Sequence, residues 1–251
     1  MTSQPLIEIS NVSKEFRGGI RALNNVDLTV AKGEVVVVLG PSGSGKSTLI
    51  RCVNGLEEAS SGSIRIAGEP VNGHSERSWR KVRLEVGMVF QNYALFPHLN
   101  VLRNITLAPI RAGVMRRTDA EAEARRLLKM VGLSEKETAP VSSLSGGQQQ
   151  RIAICRALAM KPKAILFDEP TSALDPEMVG EVLAVMRKLA EEGITMICVT
   201  HEMGFAKSAA DRIVFMDKGE VVEIAKPEEF FKSPKAERSR QFLELISRHN
   251  D

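Results

Sequence analysis

Apolar and polar positions alternate along this chain with two periods, and the changes of period outline its elements. Leu6-Ile7-Glu8-Ile9 and Val26-Asp27-Leu28-Thr29-Val30 alternate as half-exposed strands do, with a turn at Arg17-Gly18-Gly19 between them. Ser63-Ile64-Arg65-Ile66 alternates in the same way, and Val86-Gly87-Met88-Val89-Phe90 reads as a strand ending at Gln91. Val35-Val36-Val37-Val38-Leu39 is apolar without alternation, the mark of a strand buried on both faces of a parallel sheet. Ala164-Ile165-Leu166-Phe167 and Thr195-Met196-Ile197-Cys198-Val199 repeat that pattern. From about Val101 to Val131 the period is helical, with Ala124, Leu127, Leu128 and Val131 on one stripe and Pro109 expected to break the first helix. Further helices are expected from Ser145 to Met160, stopped by Pro162, and from Pro176 to Glu192, closed by Gly193. Arg212 to Met216 and Glu220 to Glu223 form a hairpin around Lys218-Gly219, and the tail from Pro227 is helical in character. Strands alternating with helices predict an α/β fold with a mainly parallel sheet. The helical stretch between them is an insertion that either contacts a partner or packs only on itself.

A chain of 251 residues with 43% hydrophobic residues has material for one large domain. Its net charge of +3, spread along the chain, gives no electrostatic case for nucleic acid or an anionic membrane. No stretch approaches the ~18 apolar residues needed to cross a bilayer, and Met1-Thr2-Ser3-Gln4-Pro5 is not a signal peptide. Cys52, Cys155 and Cys198 each sit in an apolar element without metal-like spacing, as reduced thiols of a cytoplasmic protein do.

The strongest chemical signal is Gly40-Pro41-Ser42-Gly43-Ser44-Gly45-Lys46-Ser47-Thr48, between the strand at Val35 and an apolar helix from Leu49. Glycines let the backbone aim several N–H groups at one anion, and the helix adds its positive end. Lys46 can reach terminal phosphates and Ser47 can place its hydroxyl on Mg²⁺, so the segment is a nucleoside triphosphate site. Its bland alternative is a glycine-rich turn joining a strand to a helix. Asp168-Glu169 ends a buried strand, where ligands of open α/β sheets bind; Asp168 suits Mg²⁺ and Glu169 can polarise water. Leu144-Ser145-Gly146-Gly147-Gln148-Gln149-Gln150-Arg151 contains a capping box from Ser145 to Gln148. A cap alone leaves Gly146-Gly147 unexplained, because glycine costs a helix about 1 kcal/mol per residue. Bare N–H groups there would make a second anion-binding terminus, one more than a single nucleotide needs unless two chains share it.

Leu144 to Arg151 resembles the signature of the ATP-binding cassette family, the engine subunits of ABC transporters. Gly40 to Thr48, Gln91, Ile165 to Glu169, Ser172-Ala173-Leu174-Asp175 and His201 match the family's other motifs in order, over about Leu6 to Ile246. The resemblance implies a P-loop NTPase core with a mainly parallel sheet, an N-terminal antiparallel β subdomain and an inserted helical subdomain. The core would span about 1–91 and 162–251, and the helical part about 92–161. It further implies a head-to-tail homodimer sharing two ATP, in which Ser145, Gly147 and Gln148 meet the γ-phosphate held by the partner's glycine loop. Glu169 would be the general base, His201 would hold the γ-phosphate, and Gln91 would touch Mg²⁺ and water and report to the helical part. Phe16 stands where the family usually places a tyrosine against adenine; the ring face remains and the hydroxyl is lost. Asp175 before Pro176 reads as an N-cap, and the resemblance implies that its loop also crosses to the partner.

The same resemblance implies membrane permease subunits, a periplasmic or extracellular solute-binding protein, and a peripheral position on the cytoplasmic face of the inner membrane. Leu95-Phe96-Pro97-His98 with Val101 to Pro109, and Val199 to Ala206, resemble importers of polar amino acids. Gln91-Asn92-Tyr93-Ala94-Leu95-Phe96 also resembles sugar and polyamine importers, which usually carry a long C-terminal domain. Importers of other solutes such as methionine, and a soluble cassette ATPase acting on nucleic acid or ribosomes, are the alternatives.

Overall fold

The computed structural model describes residues 4–71, 73 and 75–249, so that Met1, Thr2 and Ser3 of the stretch read above as no signal peptide lie outside it. The two hydrophobic periods become two sheets. Strands β1 (Ile7–Phe16), β2 (Ile20–Val30), β4 (Ser61–Ile66) and β5 (Glu69–Pro70) form an antiparallel sheet in the order β2-β1-β4-β5. Strands β3 (Val35–Leu39), β6 (Val86–Val89), β7 (Ala164–Asp168), β8 (Thr195–Val199), β9 (Arg212–Asp217) and β10 (Glu220–Ala225) form the second, in the order β10-β9-β3-β8-β7-β6. Every pairing in it is parallel except the β9–β10 hairpin.

The unbroken apolar strands divide their side chains between two cores, because successive residues of a strand face opposite sides. Val35, Val37, Leu39, Phe167, Met196 and Cys198 join one cluster, with helices α5 (Gly146–Leu158) and α6 (Pro176–Glu191). Val36, Val38, Leu166, Ile197 and Val199 join the other, with α1 (Lys46–Asn54) and the antiparallel sheet. The β3–β8 layer is therefore sealed on both faces, and its carboxyl ends are where chemistry can emerge.

The expected insertion is present as α3 (Val101–Arg111), α4 (Arg117–Met130) and α5. Its stripe of Ala124, Leu127, Leu128 and Val131 belongs to the same cluster as Val37 and Phe167, so these helices rest on the main sheet and share its core. Arg151 of α5 ties this group together, donating to the Val131 carbonyl at 2.8 Å and to Glu181 of α6 at 2.8 Å.

Several expectations fail for local reasons. Pro109 does not end α3, which continues to Arg111; a proline so near the last turn removes one donor, and its carbonyl accepts from Val114 and Met115 as the chain leaves the helix. Strand β1 runs well past Ile9, with Asn11 left-handed at φ 49° and the register shifting beyond it, so a bulge hides the alternation. Asp175 takes the N-cap position of α6 with Pro176 in the first turn, yet its side chain makes no capping bond. Helix α2 (Glu76–Glu85) is a further element, buried only at Trp79 and Val82. After β8 come α7 (Met203–Ala209) and, beyond the hairpin, α8 (Pro227–Lys232) and α9 (Glu237–His249). Among the described residues no helix is long and apolar enough to cross a membrane.

Gly55 ends α1 in a left-handed turn at φ 72°, and a Cβ there would lie 2.2 Å from the Trp79 ring. Gly55→Ala is expected to cost at least about 1–3 kcal/mol through overpacking, read as a lower midpoint in urea unfolding with an unchanged slope.

Candidate functional site

The glycine loop leaves β3 and is pinned from two sides. Gly40 has φ 150°, and a Cβ on it would sit 2.1 Å from the Met216 carbonyl oxygen of β9. Gly45 has φ 101°, and a Cβ there would meet the Ala22 carbonyl oxygen of β2 at 2.4 Å. Glycine is required at both places by conformation and by space. Between them the chain reverses with Ser44 N donating to Pro41 at 3.2 Å, while the Gly219 N–H of the β9–β10 turn donates to the Ser44 carbonyl at 3.0 Å. The buried Ser44 hydroxyl has no hydrogen-bond partner among the described residues. Pro41, Ser42 and Gly43 form the outer rim, and Thr48 lies half-buried in the first turn of α1. No side chain caps the N-terminus of α1, leaving its first N–H groups to the loop side.

Lys46 and Ser47, the first residues of α1, reach the ends of β3 and β7, which flank β8 in the sheet. Lys46 is 4% exposed, and its Nζ donates to the carbonyls of Gly40 and Pro41 at 2.9 Å each. Burial pulls its amine below the ordinary lysine value, while the carboxylates of Glu169 and Asp168 pull it back up. The Ser47 hydroxyl donates to Asp168 Oδ1 at 2.6 Å. Arg51, one turn further along α1, donates through Nε and Nη2 to Asp168 Oδ2 at 3.2 and 3.0 Å. Both oxygens of this buried carboxylate are thereby held by one helix.

Glu169 follows at the end of β7 in a left-handed conformation with φ 48°. Its N–H donates to the Val199 carbonyl of β8 at 2.9 Å, and its carbonyl accepts from the Ser172 hydroxyl at 2.9 Å. Backbone strain at an acidic strand end persists only when neighbours hold it, and here β8 and the Ser172 turn do so. The result aims the side chain at His201, whose Nε2 lies 3.4 Å from Glu169 Oε1. His201 is half exposed, and Thr200 before it is buried.

The remaining residues lie elsewhere. Ser145 and Gln148 close the capping box, with bonds of 3.3 Å to the Ser145 hydroxyl and 3.1 Å to the Gln148 side-chain oxygen. No hydrogen bond among the described residues joins Ser145, Gly147 or Gln148 to the glycine loop. The Gly146-Gly147 pair has a packing reason that the sequence did not disclose. A Cβ on Gly146 would stand 2.7 Å from the Tyr93 hydroxyl, and one on Gly147 would stand 2.9 Å from Met178 Cβ. The Gly147 N–H is not bare, since it points at Met178 Sδ at 3.3 Å. Gln91 is exposed just beyond β6. Phe16 ends β1 with 36% of its surface exposed and the Lys14 ammonium 4.9 Å from its ring centroid.

Arg51 and Met178 are the residues that motif reading passes over. Arg51 was detectable as the i+4 neighbour of Ser47 on one helix face. Met178 is 31 residues from Gly147 and carries no local signal.

This arrangement of loop, acidic strand end and capped glycine helix has known relatives. The family model described as "ABC transporter" matches residues 23–172. The chain is 53% identical over 246 residues to the glutamine transport ATP-binding protein GlnQ of Bacillus subtilis, covering 97% of this chain and 100% of that one. It is also 53% identical over 241 residues to the arginine transport ATP-binding protein ArtM of the same organism, covering 96% and 100%. Among solved structures it is similar to the dimeric post-hydrolysis state of the ATP-binding cassette MJ0796 bound to ADP and Pi, with TM-score 0.80, 37% identity and coverage of 88% and 98%. It is also similar to cbiO1 from Clostridium perfringens, part of the ABC transporter complex cbiONQ, with TM-score 0.83, 28% identity and coverage of 98% and 100%.

If Met178 dictates the glycine at 147, Gly147→Ala will lower nucleotide-free stability by about 1–3 kcal/mol. Adding Met178→Ala will then cost less than it does in the parent chain. Equal costs in a double-mutant cycle of thermal unfolding would show that the two side chains do not meet.

Proposed function

The chain belongs to the ABC transporter family, and from that premise we propose that it is the ATP-hydrolysing subunit of an importer for polar amino acids. The observation that carries this reading is the gathering of Lys46, Ser47, Asp168, Glu169 and His201 at adjacent strand ends, with Ser145, Gly147 and Gln148 unbonded to them in the same chain.

ATP lies along Gly40 to Thr48, with Phe16 against its adenine. Its phosphates take the loop N–H groups, and the Lys46 amine turns from the Gly40 and Pro41 carbonyls to the β- and γ-phosphates. Ser47 and Asp168 fit Mg²⁺: both offer hard oxygens, they lie 2.6 Å apart, and such an ion needs only one or two protein ligands beside water and phosphate. When bound, it neutralises charge developing on the phosphoryl oxygens. Gln91 adds a neutral oxygen from the loop after β6. Glu169 accepts a proton from water as that oxygen attacks the γ-phosphorus, and the bond to the β-phosphate oxygen breaks to give ADP and phosphate. His201 orients Glu169 and donates to the γ-phosphate.

A second copy, head to tail, brings Ser145, Gly147 and Gln148 to that phosphate, so two ATP join two chains. The dimeric cassette bound to ADP and Pi supports this reading. Permease subunits dock where Leu56, Met88, Phe90, Phe96 and Arg156 line a groove of about 490 Å³ between the sheet edge and the helical part. Leu56 and Phe96 are 47% and 41% exposed there. The protein then sits on the cytoplasmic face of the membrane, and a solute-binding protein delivers cargo to the permease from the other side. The cargo is inferred from the glutamine transport and arginine transport relatives GlnQ and ArtM.

Glu169→Gln is expected to bind ATP and lower turnover by about 10²–10⁴-fold, eluting as a dimer with ATP and as a monomer without. Adding Ser145→Arg should abolish that dimer; wild-type phosphate release from Glu169→Gln would remove Glu169 from the role of base. Deleting the gene should abolish high-affinity uptake of a radiolabelled polar amino acid such as glutamine, and Lys46→Ala should fail to restore it. Unchanged uptake across polar amino acids would reject the cargo.

A further inference from the structure

The loop that carries Gln91 is fastened to helix α5 at three places, and the fastenings bracket Gln91 itself. Gln150, fully buried in α5, donates from Nε2 to the Phe90 carbonyl at 3.2 Å, immediately before Gln91. Its other amide atom, Oε1, has no partner among the described residues, so the donor bond is what its buried amide gains. Arg156, further along the same helix, donates to the Tyr93 carbonyl at 3.2 Å and the Ala94 carbonyl at 2.5 Å. Tyr93 and Ala94 are both left-handed, at φ 59° and 49°, a strained pair of non-glycine residues. No ion pair of Arg156 occurs among the described residues; burial lowers its pKa, and its hydrogen bonds go to these two carbonyls. The third fastening is the Tyr93 hydroxyl packed on Gly146, in the first turn of α5.

The far end of the loop is anchored as well. Asn104 of α3 accepts from Phe96 N at 2.8 Å and donates to the Phe96, Leu99 and Asn100 carbonyls. Gln91 and Asn92, the two residues between Phe90 and Tyr93, are both exposed.

We propose that Gln150 and Arg156 are positioning residues that clamp the Gln91 loop to α5, so that Gln91 and Ser145 move as one rigid unit. The proposal deepens the ATP-dimer reading and rests on it for the second half of its consequence. A shift of Ser145 toward a partner's γ-phosphate is carried along α5 to Phe90 and Tyr93, and so sets where the Gln91 side chain stands toward its own chain's nucleotide. Two sites are thereby coupled through hydrogen bonds to backbone carbonyls, which transmit displacement whatever side chains the loop bears.

The test is amide hydrogen exchange on the full chain in the Glu169→Gln background, comparing it with added Gln150→Met or Arg156→Lys. Without nucleotide, either substitution is expected to speed exchange at residues 93–96 by about tenfold, leaving β7 and α5 unchanged. With ATP, the unmodified clamp should show slowed exchange at both 145–148 and 91–96, whereas the substituted chains should show it at 145–148 alone. Unchanged rates at 93–96, or ATP protection that persists in both segments, would overturn the clamp. A uniform rise across β7 and α5 would overturn it too, because it marks a general packing role. Should Gln150→Met fail to fold, Arg156→Lys carries the same comparison. If ATP slows neither segment in any chain, the ATP-dimer reading fails, and the nucleotide-free comparison still decides the clamp.

Discussion

One carboxylate holds the glycine loop and the helix that follows it against the main sheet. Asp168 ends the buried strand β7, and its two oxygens are divided between Ser47 and Arg51, which lie one turn apart on α1. A buried charge is costly unless paired and hydrogen-bonded, and here a single helix supplies both partners. That pairing fixes the start of α1 against β7. The position of α1 in turn fixes the direction in which Lys46 and the glycine loop leave β3. The loop is then closed from above by Met216 and from the side by Ala22, through contacts that no side chain at Gly40 or Gly45 could survive. The antiparallel sheet thus helps to shape the glycine loop through a backbone carbonyl alone.

Much of this was legible because the parallel strands have a severe burial requirement. Val35 to Leu39 and Thr195 to Val199 were bounded correctly because each is a short, β-branched-rich apolar run with glycine close by, too short for a buried helix. The elements that escaped were those whose stability is not local. Helix α2 buries only Trp79 and Val82, too few positions for a period to show. Strand β1 conceals its length behind the left-handed Asn11, and α3 runs through Pro109 because the bond lost there is one of its last.

The site divides along the same line. Lys46, Ser47, Asp168 and Glu169, candidates from their places after β3 and β7, come together because strand ends and helix starts dictate where such side chains point. Gly146-Gly147 was less legible. Two glycines opening a helix looked like bare anion donors, yet Tyr93 and Met178 pack so closely on them that their smallness has a reason inside one chain. Packing and ligand contact make the same demand there, and only coordinates separate them. Gln150 and Arg156 were hidden for a related reason, as their partners are carbonyls some sixty residues away in sequence.

The sulfur beside Gly147 bears on how readily that amide can change partners. A thioether is a weak acceptor, far poorer than a carbonyl or a charged phosphoryl oxygen. Met178 therefore screens the Gly147 N–H from water without holding it firmly. The flexible side chain can withdraw by rotating about its own bonds, with no helix displaced. The donor is kept dry by a contact so weak that a stronger acceptor would displace it at little cost.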